Sequence, residues 1–448
     1  MIRIWRTWED DPQKIRALLT RPPVEAAQVS PGARAKTQEV LGEDLPPKDA
    51  VAKILSDVES RGAEAVLHYT KAFDGAELAA DELVVDAQKL QVEKMVDDAT
   101  YRAMERAKDN IASFHRKQLP NSWFETGEDG TYLGMRYTPL DSVGVYVPGG
   151  SAPLVSSVLM TVVPAKVATV ERIVMATPPG PDGKLNPYLL AAAKLAGVTQ
   201  ILCAGGAHGI GALAYGIQGL DPVDKIVGPG NLFVTLAKKQ VLGRVGIDML
   251  AGPSEVLVVA DETAKPHWVA ADLLSQAEHG ADSAAILITT SLALAEAVLV
   301  ELESQCKKLS RESIAAASLA HSGRIVVCRD LAEAASLANI VAAEHLELAV
   351  AEPAKLLGKI RHAGAIFMGH HSPEPVGDYF AGPNHVLPTN GTARFSSPLG
   401  VEDFLRRSSI IGYSEEALAR DSSMIEALAT IEGLCAHRNA VAIRRERK

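Results

Sequence analysis

The chain has 448 residues, of which 47% are hydrophobic and 22% are charged, and its formal net charge at pH 7 is −10. Its length exceeds what one hydrophobic core usually organises, and its composition is that of a soluble globular protein. The acidic balance argues against nucleic acid as a partner, because phosphate binding requires clustered Lys and Arg.

The predicted elements begin with a short strand and a helix in residues 1–20, followed by helices over 47–72 and 86–117. From residue 143 onwards, short β-rich runs alternate with helices of about ten residues, which predicts parallel sheets. The first series has strands at 143–147, 172–176, 200–204, 225–227 and 245–249, with helices at 154–169, 186–196, 209–216 and 231–242.

A second series follows, with strands at 255–260, 284–289, 324–328, 346–350 and 363–368 and helices at 265–279, 291–308 and 330–340. Residues 369–400 are loop-rich, and a final helix is predicted at about 414–431. The pattern therefore predicts an α/β fold with two parallel-sheet units. We expect the second unit to include the N-terminal helices.

Membrane and disulfide chemistry are not expected. Proline and glycine interrupt the most apolar stretch, 143–170, and the N-terminus lacks the apolar core of a signal peptide. The four cysteines form no C-x-x-C pair and are predicted to be reduced thiols: Cys203, Cys306, Cys328 and Cys435. These features indicate a cytoplasmic protein.

Glycine-rich turns follow three strands of the first series. They are Gly149-Gly150-Ser151, the segment 205–209 and the segment 228–231. Such turns let backbone N–H groups approach a phosphate at a helix N-terminus. None completes G-x-G-x-x-G, and ordinary tight turns explain them equally well.

Gln276 and His279 form the first half of a candidate metal site. They are three residues apart at the end of a predicted helix, which places both side chains on one face. A carboxylate such as Asp378, together with His437, would complete a zinc ligand set. The alternative is that His279 caps the helix end. Spacing does not show whether these residues converge.

Glu344-His345 is a candidate acid and base. Histidine titrates near neutral pH, and a neighbouring cation favours its neutral form. The alternative is an exposed charged pair that precedes a strand.

Several segments, in order from about residue 30 to the C-terminus, resemble the histidinol dehydrogenase family. They are 144–150, 164–168, 223–231, 247–255, 272–279, 344–347 and 384–389. The resemblance implies two successive NAD-dependent oxidations of L-histidinol, through the aldehyde, to L-histidine. It also implies two incomplete Rossmann-like units with N- and C-terminal arms in an intertwined homodimer.

The resemblance implies a role for each candidate residue. Glu344 and His345 are the expected catalytic pair, and one zinc ion per subunit is bound by Gln276, His279, Asp378 and His437, the last from the partner subunit. These ligands and His345 also contact substrate, together with Ser254, His385 and Glu432. Tyr146, His208 and Asn231 match cofactor contacts, although the family usually has glutamine where this chain has His208.

The implied organisation has four parts. They are an arm at 1–25, an α/β domain made of 26–142 with 247–385 that carries the zinc and catalytic residues, a Rossmann-like domain at 143–246, and an arm at 386–448. The alternatives are a paralogous dehydrogenase of another primary alcohol such as a sulfonated propanediol, a zinc hydrolase, and a binding protein that has lost catalysis. The chain lacks the H-E-x-x-H motif, which argues against the hydrolase.

Overall fold

A computed structural model describes residues 2–22, 29–92, 95–149 and 153–445. Gly150 and Ser151 of the first glycine-rich turn lie outside the described residues. The chain divides into two compact units. Unit 1 comprises Met1–Gln118 with Asp141–Phe404, and unit 2 comprises Leu119–Leu140 with Leu405–Lys448.

The strands and helices of the described residues are numbered in chain order. The strands are β1 (Ile4–Arg6), β2 (Val84–Asp86), β3 (Trp123–Thr126), β4 (Tyr132–Pro139), β5 (Ser142–Tyr146), β6 (Arg172–Ala176), β7 (Gln200–Leu202), β8 (Lys225–Val227), β9 (Gly246–Ile247), β10 (Glu255–Ala260), β11 (Ala284–Thr289), β12 (Arg324–Val327), β13 (His345–Ala349), β14 (Ala365–Met368) and β15 (Leu405–Gly412). The helices are α1 (Pro12–Leu19), α2 (Pro31–Leu41), α3 (Pro47–Arg61), α4 (Ala63–Tyr69), α5 (Asp98–Arg116), α6 (Val155–Val167), α7 (Pro187–Ala196), α8 (Gly206–Tyr215), α9 (Leu232–Val241), α10 (Pro266–Ala277), α11 (Leu292–Cys306), α12 (Glu312–Ser322), α13 (Leu331–Val341), α14 (Pro353–Leu357), α15 (Glu374–Val376), α16 (Glu415–Ile431) and α17 (Cys435–Ala442).

The first sheet of unit 1 has the order β1-β12-β11-β10-β13-β14, and all of its pairs are parallel. Its central strands β10, β11 and β13 are buried along their whole length, as expected for a parallel sheet covered on both faces. One hydrophobic core is formed with α10 and α11 on one face of this sheet, and a second is formed with α1 and α13 on the other face. The N-terminal segment, predicted as an arm, supplies the edge strand β1.

The second sheet has the order β2-β7-β6-β5-β8-β9 and is parallel except for the β2–β7 pair at its edge. Helices α3 and α4 share a core with this sheet, through residues such as Val51, Ile54 and Val66. The prediction that the N-terminal helices belong with the second series of strands, at 255–368, is therefore wrong for α3 and α4. Strand β2, which follows them in sequence, pairs with β7 and so ties this segment to the second sheet.

The helix predicted at 86–117 begins later than expected. Its side-chain cap is Asp97, whose carboxylate accepts hydrogen bonds from the backbone N–H groups of Ala99 and Thr100. Because such a cap fixes the first turn, α5 starts at Asp98, and the residues before it include β2.

Unit 2 contains a three-stranded antiparallel sheet with the order β15-β4-β3, which the sequence pattern does not predict. It also contains α16 and α17. Several of its large apolar side chains are exposed, among them Phe124, Ile411 and Ile431 at 68%, 72% and 82%.

All four cysteines are free, and three of them are buried. No described helix combines the length and the hydrophobicity that crossing a bilayer requires.

Candidate active site

A cavity of about 450 Å³ in unit 1 brings together most of the predicted site residues. Its walls come from both sheets and their connecting segments. The predicted residues that line it are Asn231, Ser254, His279, Glu344, His345, Asp378 and His385.

The topology explains this convergence. The segment 229–232 follows β8, so the second sheet contributes the carboxyl ends of its strands, where glycine-rich turns meet helix N-termini. The first sheet contributes amino ends instead, because Ser254 precedes β10 and His345 begins β13. Helix α10 follows β10 and returns to that same edge, so His279 beyond its end meets residues at the start of β13.

Glu344 and His345 are both buried, at 6% and 3% exposure, which excludes the exposed charged pair as an interpretation. The backbone N–H of Glu255 donates to Glu344 Oε2 at 2.9 Å. His345 Nδ1 lies 3.3 Å from the carbonyl oxygen of Glu255. Because a carbonyl only accepts, this bond requires a proton on Nδ1 and leaves Nε2 as the basic atom.

The surroundings raise the pKa values of both Glu344 and His345. Burial raises the pKa of Glu344 to about 8, against the opposing effect of His345. Burial disfavours the charged ring of His345, but the carboxylates of Glu374, Glu344 and Asp378 outweigh it and raise its pKa to about 10. Glu344 and His345 therefore lose their protons in the alkaline range, unless a bound cation neutralises the neighbouring carboxylates.

Gln276 and His279 are adjacent as the helical spacing predicts. Gln276 is fully buried, its Nε2 lies 3.3 Å from His279 Nδ1, and its Oε1 has no hydrogen-bond partner. Burial lowers the pKa of His279, which favours the neutral ring that a metal binds. An unpartnered buried amide oxygen beside a neutral imidazole fits a bound cation.

Asp378 supplies the carboxylate. It lies on a π-helical turn, Gly377–Ala381, and its Oδ1 is 3.5 Å from His345 Nε2. Burial raises the pKa of Asp378, but the neighbouring ring of His345 gives a net lowering of this pKa. Asp378 also interacts electrostatically with His279, so the two predicted ligands are close enough to influence each other.

Glu374 is a site residue that sequence reasoning missed. His345, Glu374 and Asp378 place potential ligand atoms within 4.8 Å of one another, and Glu374 Oε1 lies 3.8 Å from His345 Nδ1. Burial raises its pKa to about 7. The signal was present, since Glu374 and Asp378 are four residues apart on one helical segment. This group shares Asp378 with the predicted ligand set that contains Gln276 and His279.

The predicted substrate residues Ser254 and His385 also line the cavity. His385 is half-buried, its buried Nε2 has no hydrogen-bond partner, and desolvation lowers the pKa of its ring. A neutral ring with a free nitrogen is ready to bind a polar group of a ligand.

The predicted cofactor residues behave differently. Asn231 lines the cavity and caps α9, where its side chain accepts from Val234 N at 3.1 Å. Tyr146 does not line the cavity; its buried hydroxyl accepts from Gly206 N at 3.0 Å, at the start of α8.

His208 does not face the cavity. Its ring is 2% exposed, stacks on Phe73, and has Nε2 3.3 Å from the Thr70 hydroxyl and 3.8 Å from Asp74. Burial lowers its pKa to about 3, so the ring is neutral. The cofactor contact predicted for His208 has no support from these surroundings, because the ring fills space against the segment after α4.

Glu432 and His437 belong to unit 2. Glu432 is the residue at the end of α16, and His437 lies on α17, where both are exposed. Their predicted roles depend on a second subunit and stay predictions.

Comparison with known proteins gives a consistent result. The model of the histidinol dehydrogenase family matches residues 42–445. The chain is 54% identical over 398 residues to histidinol dehydrogenase of Heliobacterium mobile, covering 89% of this chain and 93% of that protein. It is 52% identical over 400 residues to the Bacillus subtilis (strain 168) enzyme, with coverage of 89% and 93%.

A solved structure resembles the whole fold. The crystal structure of histidinol dehydrogenase from Elizabethkingia anophelis superimposes with a TM-score of 0.88 at 36% identity, covering 99% of this chain and 98% of that one.

Proposed function

Because the chain belongs to the histidinol dehydrogenase family, we propose that its cavity oxidises L-histidinol to L-histidine in two NAD-dependent steps, with His345 and Glu344 as the catalytic pair. The protein is an oxidoreductase of histidine biosynthesis. The observation that carries the residue assignment is the shared cavity, which Glu344, His345, His279 and Asp378 line together.

In the first oxidation, His345 Nε2 takes the hydroxyl proton of the alcohol while a hydride leaves the same carbon for NAD⁺. The products are the aldehyde, NADH and a proton on His345. In support of this role, the Glu255 carbonyl holds the ring so that Nε2 is the basic atom.

In the second oxidation, an aldehyde gives up hydride only after water has added to its carbonyl carbon. Glu344 takes a proton from that water as it adds, and the resulting hydrate anion loses a hydride to a second NAD⁺. This gives the carboxylic acid of histidine, which releases its proton to solvent as the carboxylate. Burial that raises the pKa of Glu344 makes it a stronger base than an exposed carboxylate.

Histidinol dehydrogenases as a family use zinc and NAD, and we propose one zinc per subunit held by Gln276, His279, Asp378 and His437 of the partner subunit. When bound, zinc positions the imidazole and amino nitrogens of the substrate. The unpartnered Oε1 of Gln276 supports this assignment. Ser254, His385 and Glu432 of the partner subunit are the proposed substrate contacts.

We propose that NAD binds at the carboxyl edge of the second sheet, where Asn231 opens α9 and faces the cavity. Helix N-termini at that edge attract phosphate. Tyr146 acts there through the start of α8, whereas His208 stays the weakest of the predicted cofactor contacts. A homodimer is part of the proposal, supported by the exposed apolar side chains of unit 2. The cytoplasm is its proposed location, since its reactants are soluble metabolites.

The alternatives are less well supported. A paralogous alcohol dehydrogenase would not be expected to retain Ser254 and His385 beside the catalytic pair, and relatives more than 50% identical over most of the chain carry the histidinol dehydrogenase name. A zinc hydrolase is not favoured by the same relatives.

The test measures NADH formation by absorbance with L-histidinol and with other primary alcohols, including a sulfonated propanediol. We expect two NADH per histidinol consumed and L-histidine as the product. Turnover of another alcohol with none of histidinol would overturn the proposal, and hydrolysis without NADH formation would indicate the hydrolase.

A further inference from the structure

One residue, Glu255, contacts both members of the catalytic pair through its backbone. Its N–H donates to Glu344 Oε2 at 2.9 Å, and its carbonyl oxygen lies 3.3 Å from His345 Nδ1. Strands β10 and β13 are parallel with Val256 opposite His345, so Glu255 lies beside the junction between the two catalytic residues. Any movement at the start of β10 therefore changes both contacts at once.

The side chain of Glu255 is unusual for the start of a buried strand, because it carries a carboxyl group. Its carboxyl group is fully buried, and neither of its oxygens has a hydrogen-bond partner within normal limits. Burial raises its pKa to about 7, and Arg21 opposes this rise. A buried carboxylate is stable only when a cation or donors compensate for its lost hydration.

Arg21 provides the compensating cation. Its Nε lies 3.6 Å from Glu255 Oε2, and only 14% of its side chain is exposed. Its Nη2 donates to the carbonyl oxygen of Asp282 at 3.1 Å, and Asp282 belongs to the cavity wall. The next residue is held as well, because Asn390 donates its side-chain N–H to the carbonyl of Pro22 at 2.8 Å.

Arg21 comes from outside the segment that matches the family. The family model begins at residue 42, whereas Arg21 follows α1 near the N-terminus. The N-terminal segment of this chain thus reaches under the catalytic pair and places Arg21 beside a buried acid.

We propose that the Arg21–Glu255 ion pair is a positioning device that fixes the start of β10 and thereby orients Glu344 and His345 together. The inference rests on the proposed function of those two residues. Neither Arg21 nor Glu255 touches the reacting atoms. Their effect acts through the two backbone contacts of Glu255, so it changes turnover in both oxidations and leaves cofactor binding unaltered.

The experiment compares purified full-length variants with L-histidinol and with the aldehyde as substrates. Arg21→Met removes the cation but keeps an unbranched side chain, and we expect kcat to fall about ten- to a hundredfold with both substrates, as a small misplacement of catalytic groups does. The KM for NAD and the zinc content should stay at the wild-type values. Arg16→Met is the matched control, because Arg16 is an exposed arginine on α1 in the same segment.

Two further variants separate positioning from general destabilisation. Arg21→Lys keeps the charge and should recover most of kcat. Combining Arg21→Met with Glu255→Gln removes both charges, and the double variant should exceed the Arg21→Met single variant in kcat because no buried charge is left unpaired. If Arg21→Met does not fold, a wild-type kcat in a folded Glu255→Gln variant overturns the inference.

The outcomes are distinguishable from failure of the proposed function. A wild-type protein that does not oxidise histidinol sinks the proposed function itself. If the wild type is active and a folded Arg21→Met variant has an unchanged kcat, only the positioning role is contradicted.

Discussion

At the scale of single residues, Glu344 and His345 are neighbours in sequence but make different contacts and have different proposed roles. Glu344 and His345 share burial, but one accepts a backbone N–H and the other is directed by a backbone carbonyl. Both side chains line the cavity, although successive residues of a strand normally face opposite sides. Glu344 achieves this by preceding β13, which begins at His345.

His345→Ala should abolish the first oxidation while zinc is retained. The variant loses the base that takes the hydroxyl proton, so kcat with histidinol should fall by at least about a hundredfold. NADH formation and metal analysis of the same sample are the measurements, with His321→Ala, an exposed histidine, as control. Loss of zinc in the variant would mean that His345 is a ligand and that its role is misassigned.

Glu344→Gln should impair oxidation of the aldehyde at least as much as oxidation of the alcohol. The reaction uses the ionised carboxylate, and burial raises its pKa to about 8, so aldehyde oxidation by the wild type should increase as pH rises through about 8. The variant should lack this rising limb in a plot of kcat against pH. Equal aldehyde turnover in both proteins would contradict the assignment.

At the scale of elements, the alternation of strands and helices from 143 to 368 was predictable because buried parallel strands are short apolar runs with clear punctuation. The predicted helix at 265–279 is α10, and the C-terminal position of Gln276 and His279 follows from it. The antiparallel sheet of unit 2 was not predictable in the same way. None of the residues in its three strands is buried, so they lack the apolar pattern by which strands are recognised.

The site was predictable in part. Gln276 and His279 follow from helical spacing, whereas the approach of Asp378 and Glu374 to His345 depends on the long connection after β14, which no local pattern specifies. The predicted contact of His208 failed to gain support for a similar reason. Position within a glycine-rich turn does not reveal that the segment after α4 covers the ring.

That packing makes His208→Gln a test of how α8 is held against the segment after α4. The unfolded chain binds a proton at His208 near its ordinary pKa of about 6.5, whereas the folded ring stays neutral down to about 3. Below about pH 6.5 the unfolded state therefore binds more protons, so wild-type stability falls as pH falls, by up to about 1.4 kcal/mol per pH unit from this group.

The variant lacks this dependence, so its free energy of unfolding should decrease less than that of the wild type as pH falls from 6.5 to 4.5. This range lies between the pKa of His208 in the unfolded chain and its pKa of about 3 in the folded protein. Asp74, whose pKa burial raises to about 6, is present in both proteins and contributes the opposite trend in each. Denaturant unfolding at several pH values is the measurement, with His321→Gln as control. Parallel curves for the variant and the wild type would show that the ring is not buried in the folded state.

At the scale of the whole molecule, the proposed site takes residues from two subunits. Glu344, His345 and three proposed zinc ligands belong to unit 1, whereas His437 and Glu432 belong to unit 2. Unit 2 exposes apolar side chains that a monomer would leave in water, which favours association of two chains. A closed dimer with twofold symmetry gives each site the same donated residues.

This arrangement predicts complementation between two inactive variants. His345→Ala and His437→Ala homodimers should both be inactive, the first for lack of a base and the second for lack of a zinc ligand. When the two chains are unfolded together and refolded, roughly half of the dimers are mixed. In a mixed dimer, the His437→Ala chain keeps its own His345 and receives an intact His437 from its partner, so one of its two sites is complete.

Activity of the mixture should therefore recover to about a quarter of the wild-type level, since half of the dimers carry one working site in two. Mixing His345→Ala with Glu344→Gln is the control, because both defects lie on one chain's own site and no mixed dimer repairs either. If His437 instead serves the chain that carries it, each site in every mixed dimer still contains one defect, and no activity returns. Recovery in the first mixture with none in the second is the result that an exchanged C-terminal segment requires.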